Sequence, residues 1–140
     1  MAAETASNTA QEQVARALLN KGNNLGNLQH YEEAFAAYNE LITHFGNSQD
    51  PDIQQAVAEA SYNKGIDLGF LNRNKEAVAA FNDLIARFGN SQNTKIQEQV
   101  AFALSAKGIK LDLFLNHDEE GIAADNDLIT RFGNSQDELI

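Results

Sequence analysis

The chain has 140 residues, 43% of them hydrophobic, which is enough to build one domain around its own core. Its formal net charge of −10 makes nucleic acid and anionic membranes poor partners, because affinity for phosphate groups comes mainly from Lys and Arg. The absence of Cys excludes disulfides and thiolate metal sites, and without a secretory signal or a long apolar run the expected location is cytoplasmic.

The chain contains one nine-residue stretch three times. The copies are Leu41 to Gln49, Leu84 to Gln92 and Leu128 to Gln136. Their phenylalanines, Phe45, Phe88 and Phe132, are 43 and 44 residues apart, and periods of this length indicate stacked supersecondary units. We predict a single repeat domain with four segments: an N-terminal extension (1–10), repeat 1 (11–53), repeat 2 (54–96) and repeat 3 (97–140).

The first half of each unit predicts a helix, which we call helix A. Small and apolar residues recur there at helical spacing. In unit one they are Val14, Ala17, Leu18, Gly22, Leu25 and Leu28. Three glycines interrupt the A helices at equivalent places: Gly22, Gly65 and Gly108. Each costs about 1 kcal/mol of helix stability relative to Ala. We expect a close approach of the second helix of the unit to compensate this cost.

The second half of each unit predicts helix B. Its apolar stripe in unit one is Ala34, Tyr38, Leu41, Ile42 and Phe45. Short polar turns separate A from B, so the two helices should be antiparallel neighbours. Six helices of this kind account for nearly the whole chain.

The repeated stretch is interpreted as the end of helix B. A glycine follows each last aromatic residue, and we expect these three glycines to take the left-handed C-cap conformation: Gly46, Gly89 and Gly133. Cations in the last turn should interact with the negative helix end, as for Arg87 and Arg131. Asp50-Pro51-Asp52 is a start signal for the next helix A.

Units one and two resemble the tetratricopeptide repeat family. The resemblance rests on a helix-A glycine followed by a large apolar residue, and a helix-B alanine followed by an aromatic. These are Gly22, Leu25, Ala34 and Tyr38, then Gly65, Leu68, Ala77 and Phe81. The resemblance implies an all-α fold, a right-handed α-solenoid of three stacked helix-turn-helix repeats. The family period is about 34 residues, so this chain looks like an elongated variant; by period alone, HEAT or armadillo repeats are an alternative.

Unit three departs from the pattern. Gly108 and Gly121 are 13 residues apart, where the other units have 12, and the helix-B pair is Gly121 and Asp125. An ionised Asp in a sealed core is costly. We therefore predict that the face carrying Asp125 is at least partly hydrated, as expected at the end of a stack.

The resemblance also implies that helix A lines a concave surface on which peptides lie. The predicted partner-binding residues are Leu19, Asn20, Asn23, Asn27, Tyr62, Asn63, Ile66, Phe70, Ser105 and Ile109, with Gly26, Gly69, Ala106 and Asp112 on the same face. Amides could bracket an extended peptide backbone, and Tyr62, Ile66 and Phe70 could hold an apolar side chain. Alternatively, Asn20 and Asn63 bond to the neighbouring helix, and Ile66 and Phe70 pack into it.

Two specialised roles have little support in the sequence. Asn23 and Asn63 match the asparagines of the family's carboxylate clamp, but Leu19, Phe102 and Ala106 stand where its basic groups would be. No catalytic site, cofactor or metal is predicted, because Cys and a glycine-rich phosphate loop are absent and the three His are in turns or at helix ends. The run from His117 to Glu120 is interpreted as the start of a helix rather than a metal site.

The sequence thus favours a protein–protein interaction scaffold that binds a peptide or a partner protein on the helix-A face. The alternative is a structural, self-assembling module that stacks head to tail into a homo-oligomer, or a fragment of a longer array, since no capping helix follows Ile140.

Overall fold

A computed structural model describes the backbone of residues 2–113 and 118–133 and the side chains of residues 9–110 and 119–133. Over these residues the chain forms six α-helices and no strand. They are α1 (Ala2–Asn27), α2 (Tyr31–Phe45), α3 (Pro51–Phe70), α4 (Asn74–Phe88), α5 (Thr94–Leu113) and α6 (Asp118–Phe132). The all-α fold is confirmed, with α1, α3 and α5 as helix A and α2, α4 and α6 as helix B. Residues assigned to the N-terminal extension are helical from Ala2.

The helices stack as a solenoid. Each helix A packs on its own helix B, and each helix B packs on the helix A that follows. Successive A helices also pack on each other, much more closely than successive B helices do within the described residues. This arrangement places helix A on the inner side of the stack. One core cluster extends from Ala15 to Leu104 through all three units.

The core depends on contacts between helix-A glycines and helix-B aromatic rings. A Cβ added to Gly22 would lie 2.6 Å from Cδ1 of Tyr38, and one added to Gly65 would lie 2.8 Å from Cδ1 of Phe81. Both rings are fully buried. The close approach expected from the sequence is present, and the approaching group is the aromatic ring.

Unit three replaces this ring with Asp125, which is exposed. The predicted hydration of this face is confirmed. A Cβ added to Gly108 would lie 2.5 Å from Oδ1 of Asp125. The carboxylate therefore occupies the edge of the site that a ring fills in the other units, while it keeps its contact with solvent.

The expected left-handed glycine caps are wrong. Gly46 (φ −60°, ψ −23°) and Gly89 (φ −57°, ψ −24°) are right-handed, and no described glycine, Gly133 included, has a positive φ. The left-handed residues are Gln29 (φ 64°) and Asn72 (φ 59°), which end helix A in units one and two. No glycine marks those positions, so the sequence pattern did not indicate them.

The glycines of the repeated stretch have a different role. Arg87 Nη1 donates to the Gly46 carbonyl oxygen at 3.3 Å, and Arg131 Nη1 donates to the Gly89 carbonyl oxygen at 2.7 Å. A Cβ at Gly46 would lie 2.5 Å from Arg87 Nη1. Each arginine thus interacts with the end of the preceding unit's helix B, not only with its own helix, and the glycine leaves space for it.

The predicted helix start at Asp50 is confirmed. Its Oδ1 accepts hydrogen bonds from the backbone N–H groups of the next helix at 2.8 and 3.3 Å, and Pro51 occupies the first turn. Asn93 caps α5 in the same way. Ser48 and Ser91 each accept the backbone N–H of the capping residue at 3.1 Å. The repeated stretch therefore ends one helix and organises the loop that starts the next.

Alanine substitution should distinguish the two kinds of glycine site. Gly65→Ala should lower the free energy of unfolding by about 1–3 kcal/mol, because the added methyl overlaps the buried Phe81 ring. Gly108→Ala should be neutral or stabilising by up to about 1 kcal/mol, since the Asp125 carboxylate can rotate into solvent and alanine favours the helix. Urea unfolding measures both values, and equal effects would contradict this account of the core.

Candidate functional site

A groove of about 380 Å³ lies on the helix-A face between α1 and α3. Its lining residues are Asn23, Gly26, Asn27, Tyr31, Tyr38, Asn63, Ile66, Asp67 and Phe70. Of the predicted partner-binding set, the structure brings together Asn23, Asn27, Asn63, Ile66 and Phe70. The volume is at the lower end of the range for ligand pockets in proteins.

The other predicted residues lie elsewhere. Leu19 is only 6% exposed and belongs to the core, so it offers no surface to a partner and is withdrawn from the set. Asn20 is exposed but does not line the groove, and Ser105 and Ile109 are on α5, outside its lining. The side chain of Asp112 is outside the described residues.

Tyr62 is part of an aromatic cluster next to the groove. Its ring centroid lies 6.0 Å from that of Phe81 and 5.8 Å from that of Phe102. Phe81 is buried, whereas Phe102 is half exposed. Tyr62 thus connects the core to the surface of α5, and burial raises the pKa of its phenol.

The predicted amides form a hydrogen-bond network with Tyr38. Asn23 Oδ1 accepts from the Tyr38 hydroxyl at 2.9 Å and from Asn63 Nδ2 at 2.8 Å. Burial, with a further contribution from Asp67, raises the pKa of Tyr38, so the phenol remains a donor. Asn63 therefore bonds to the neighbouring helix, as the alternative interpretation expected, and the network fixes both amides in the groove wall.

Asp67 is the groove residue that the sequence analysis missed. Its Oδ2 is buried and has no hydrogen-bond partner within the described part of the chain. The side chain rests on α1 at Gly26, where a Cβ would lie 2.7 Å from Oδ2. Burial raises the pKa of Asp67 to about 6, so the group is mostly ionised at neutral pH.

A comparison of the units could have identified this position. Its equivalents are Asn24 in unit one and Lys110 in unit three, so the repeat carries an amide, an acid and a base at one register. Lys110 contacts Gly69 as Asp67 contacts Gly26, with Nζ 2.8 Å from a Cβ added there. The register is therefore one at which a charged side chain lies on the glycine of the preceding helix A.

Two aromatic residues complete the groove. The rings of Tyr31 and Phe70 stack with centroids 6.4 Å apart and planes 24° apart. Phe70 is 69% exposed, the largest exposed fraction among the large hydrophobic residues of the described chain. Exposed apolar groups next to fixed polar groups are typical of interaction sites.

A carboxylate cluster lies apart from this groove. Glu12, Asp50 and Asp52 each place one oxygen within 4.8 Å of the others. The hydrogen bond between the first two raises the pKa of Glu12 and lowers that of Asp50. Asp50 already caps α3, so capping accounts for the cluster. In the predicted acidic run, α6 begins at Asp118, in agreement with a helix start, and His117 is outside the described residues.

A larger recess, of about 600 Å³, lies between the two described copies of the repeated stretch. Several of its polar groups form loop hydrogen bonds. Gln54 Nε2 donates to the Ser48 carbonyl oxygen at 3.0 Å, and Gln97 in the next unit repeats this bond to Ser91 at 2.9 Å. These bonds assign the repeated stretch a structural role and leave the helix-A groove as the candidate site.

Comparison with known proteins locates one family match. Residues 16–48 match the family model described as "Tetratricopeptide repeat", a span that covers the C-terminal part of helix A and all of helix B in unit one. No curated protein and no solved structure matches the chain. None of the described helices has both the length and the apolar character needed to cross a bilayer.

The pH dependence of stability should report the ionisation of Asp67. Because its pKa is about 6 in the folded chain and 3.8 ordinarily, the folded state prefers the protonated form. Ionised Asp67 should therefore lower stability above about pH 6, and this cost should disappear as the pH falls through 6 towards 4.

Asp67→Asn should accordingly be more stable than wild type by about 1–2 kcal/mol at pH 7.5, after allowance for solvent screening. The difference should shrink as the pH is lowered to 4. Urea unfolding of both proteins at several pH values measures it, and a difference that does not change with pH would contradict the burial of an unpartnered carboxylate.

Proposed function

Because the chain is a tetratricopeptide-like helical repeat protein, a class that generally mediates contacts between proteins and is typically not enzymatic, we propose that it is a binding module. Its ligand is an extended segment of a partner protein, which lies in the helix-A groove between α1 and α3. The observation that carries this proposal is Phe70, a large apolar side chain that is 69% exposed beside fixed amide groups.

The chemistry of the groove suits a peptide. Aromatic residues that are already held in place lose little conformational entropy on binding, and Phe70 is held by its stack on Tyr31. The hydrogen bonds among Tyr38, Asn23 and Asn63 hold polar groups in the wall before a ligand arrives. A ligand therefore meets an apolar anchor point and oriented polar groups in one groove.

Selection from a displayed library of random peptides tests the proposal. Immobilised protein should enrich a family of related sequences over an unrelated immobilised protein. Phe70→Ala should weaken binding of the selected peptides by about 10-fold or more, because the aromatic anchor is lost. Fluorescence anisotropy with labelled peptides gives the dissociation constants.

Leu28→Ala is the matched control for this experiment. Leu28 is similarly exposed, at 66%, but is outside the groove lining. Its substitution should leave peptide affinity unchanged. Failure to enrich any peptide, or equal effects of the two substitutions, would overturn the proposal.

The ends of the stack support a second candidate function, head-to-tail self-assembly. Val57 and Val100 are buried at 0% and 1%, and the helices that carry them, α3 and α5, each pack on the preceding helix B. Their unit-one equivalent, Val14, is 52% exposed. The first helix A thus presents a surface that the other two units bury.

The opposite end of the stack presents the other side of this helix–helix contact. Ile42 and Ile85 are packed against the core on the helix-B side, whereas their unit-three equivalent, Ile129, is 64% exposed. A second copy that placed its α1 on α6 of the first would repeat the internal contact and bury both Val14 and Ile129. Such a contact is heterologous, so it can propagate along the stack.

Complementary end variants test this assembly. Wild type should show a mass that rises with concentration in sedimentation analysis, and Val14→Lys or Ile129→Lys alone should be monomeric, because each destroys one end. A mixture of the two variants should form dimers only, since one intact end of each kind remains. Wild type that stays monomeric at the highest concentrations would contradict self-assembly.

A further inference from the structure

We propose that Asp67 makes the groove selective for a ligand segment that carries a lysine or arginine, with the cationic head bound at the Asp67 carboxylate. This inference rests on the proposed peptide binding in the same groove. It specifies the chemistry of the partner: a basic residue within an extended segment.

Asp67 Oδ2 is shielded from solvent, and none of the described residues donates a hydrogen bond to it. Two donors in the groove wall, the Tyr38 hydroxyl and Asn63 Nδ2, donate to Asn23 instead. The Asp67 side chain lines the groove, so a ligand there can place a donor and a positive charge against the carboxylate.

The fold leaves space for this carboxylate at Gly26. Only glycine at position 26 allows Oδ2 of Asp67 to lie so close to α1, because the Cβ of any other residue there would be 2.7 Å from this oxygen. At the next junction the same contact is made by Lys110 on Gly69. The acid is thus confined to the junction of α1 and α3, where the groove and its aromatic pair are located.

The groove also matches the shape of a long basic side chain. The stems of Lys and Arg pack on apolar surfaces while their heads reach a polar group, and aromatic rings also attract cations. Tyr31, Phe70 and Asp67 line one groove, so the stem can lie along the rings while the head reaches the carboxylate. The net charge of −10 further favours the approach of a basic segment.

The peptide selection described above also tests this inference, with terminally blocked synthetic peptides in the second stage. The enriched sequences should carry Lys or Arg at one fixed position. Replacement of that residue by norleucine or citrulline should weaken binding to wild type by about 10- to 100-fold, the scale of a lost charge-assisted hydrogen bond. Asp67→Asn should weaken binding of the unaltered peptide by a similar factor.

The double change should cost no more than either single change, because both remove the same contact. Glu98→Gln is the matched control: it removes the same charge from an exposed position on α5 outside the groove, and binding should stay within about twofold. Asp67→Asn should remain folded, as a circular dichroism melt would show.

Two outcomes separate this inference from the proposed function. Enriched peptides that depend on Phe70 but show no fixed basic residue, or bind equally to Asp67→Asn, would overturn the role of Asp67 and leave peptide binding intact. Absence of any Phe70-dependent peptide would overturn both. An equal loss of affinity in Asp67→Asn and Glu98→Gln would reduce the effect to general charge attraction, and the inference would be wrong.

Discussion

The contact of a helix-B aromatic ring with a helix-A glycine is the interaction on which the rest of this structure depends. Tyr38 on Gly22 and Phe81 on Gly65 bring the two helices of a unit together closely enough to exclude water. Glycine disfavours a helix, so the unit is stable only because burial of a large ring outweighs that cost. Unit three has Asp125 in place of the ring, and its outer helix accordingly remains hydrated.

The same use of small residues recurs on the inner face, in the candidate site. Gly26 admits the Asp67 carboxylate against α1, and the surrounding groups leave one of its oxygens without a donor. Ionisation there opposes folding, since burial raises the pKa of the group. Under the proposed function, the ligand supplies the interaction that this group lacks.

The repeats also distinguish positions that the units share from positions at which they differ. The residues that are common to the units terminate helices and organise loops. The glycines of the repeated stretch leave space for the arginine of the next unit, and Ser48 and Ser91 accept hydrogen bonds from the capping residues. Some of the residues that differ between units lie on the inner face, as at the register of Asp67 and Lys110. A duplicated scaffold can thus vary its inner face while the loops that connect its units stay the same.

The sequence by itself determined the six helices, the order of helix A and helix B, the helix start at Asp50 and the hydration of unit three at Asp125. Helical periodicity, capping chemistry and the cost of burying a charge are local or compositional properties, so they can be read from the sequence. The resemblance to the tetratricopeptide repeat family added the expectation that Asn23, Asn63, Ile66 and Phe70 share the inner face, and all four line the groove. Tertiary structure alone decided that Leu19 is buried, that the left-handed residues are Gln29 and Asn72, and that Asp67 meets Gly26. These depend on how far each helix is rotated and how closely it approaches its neighbours, which no single helix encodes.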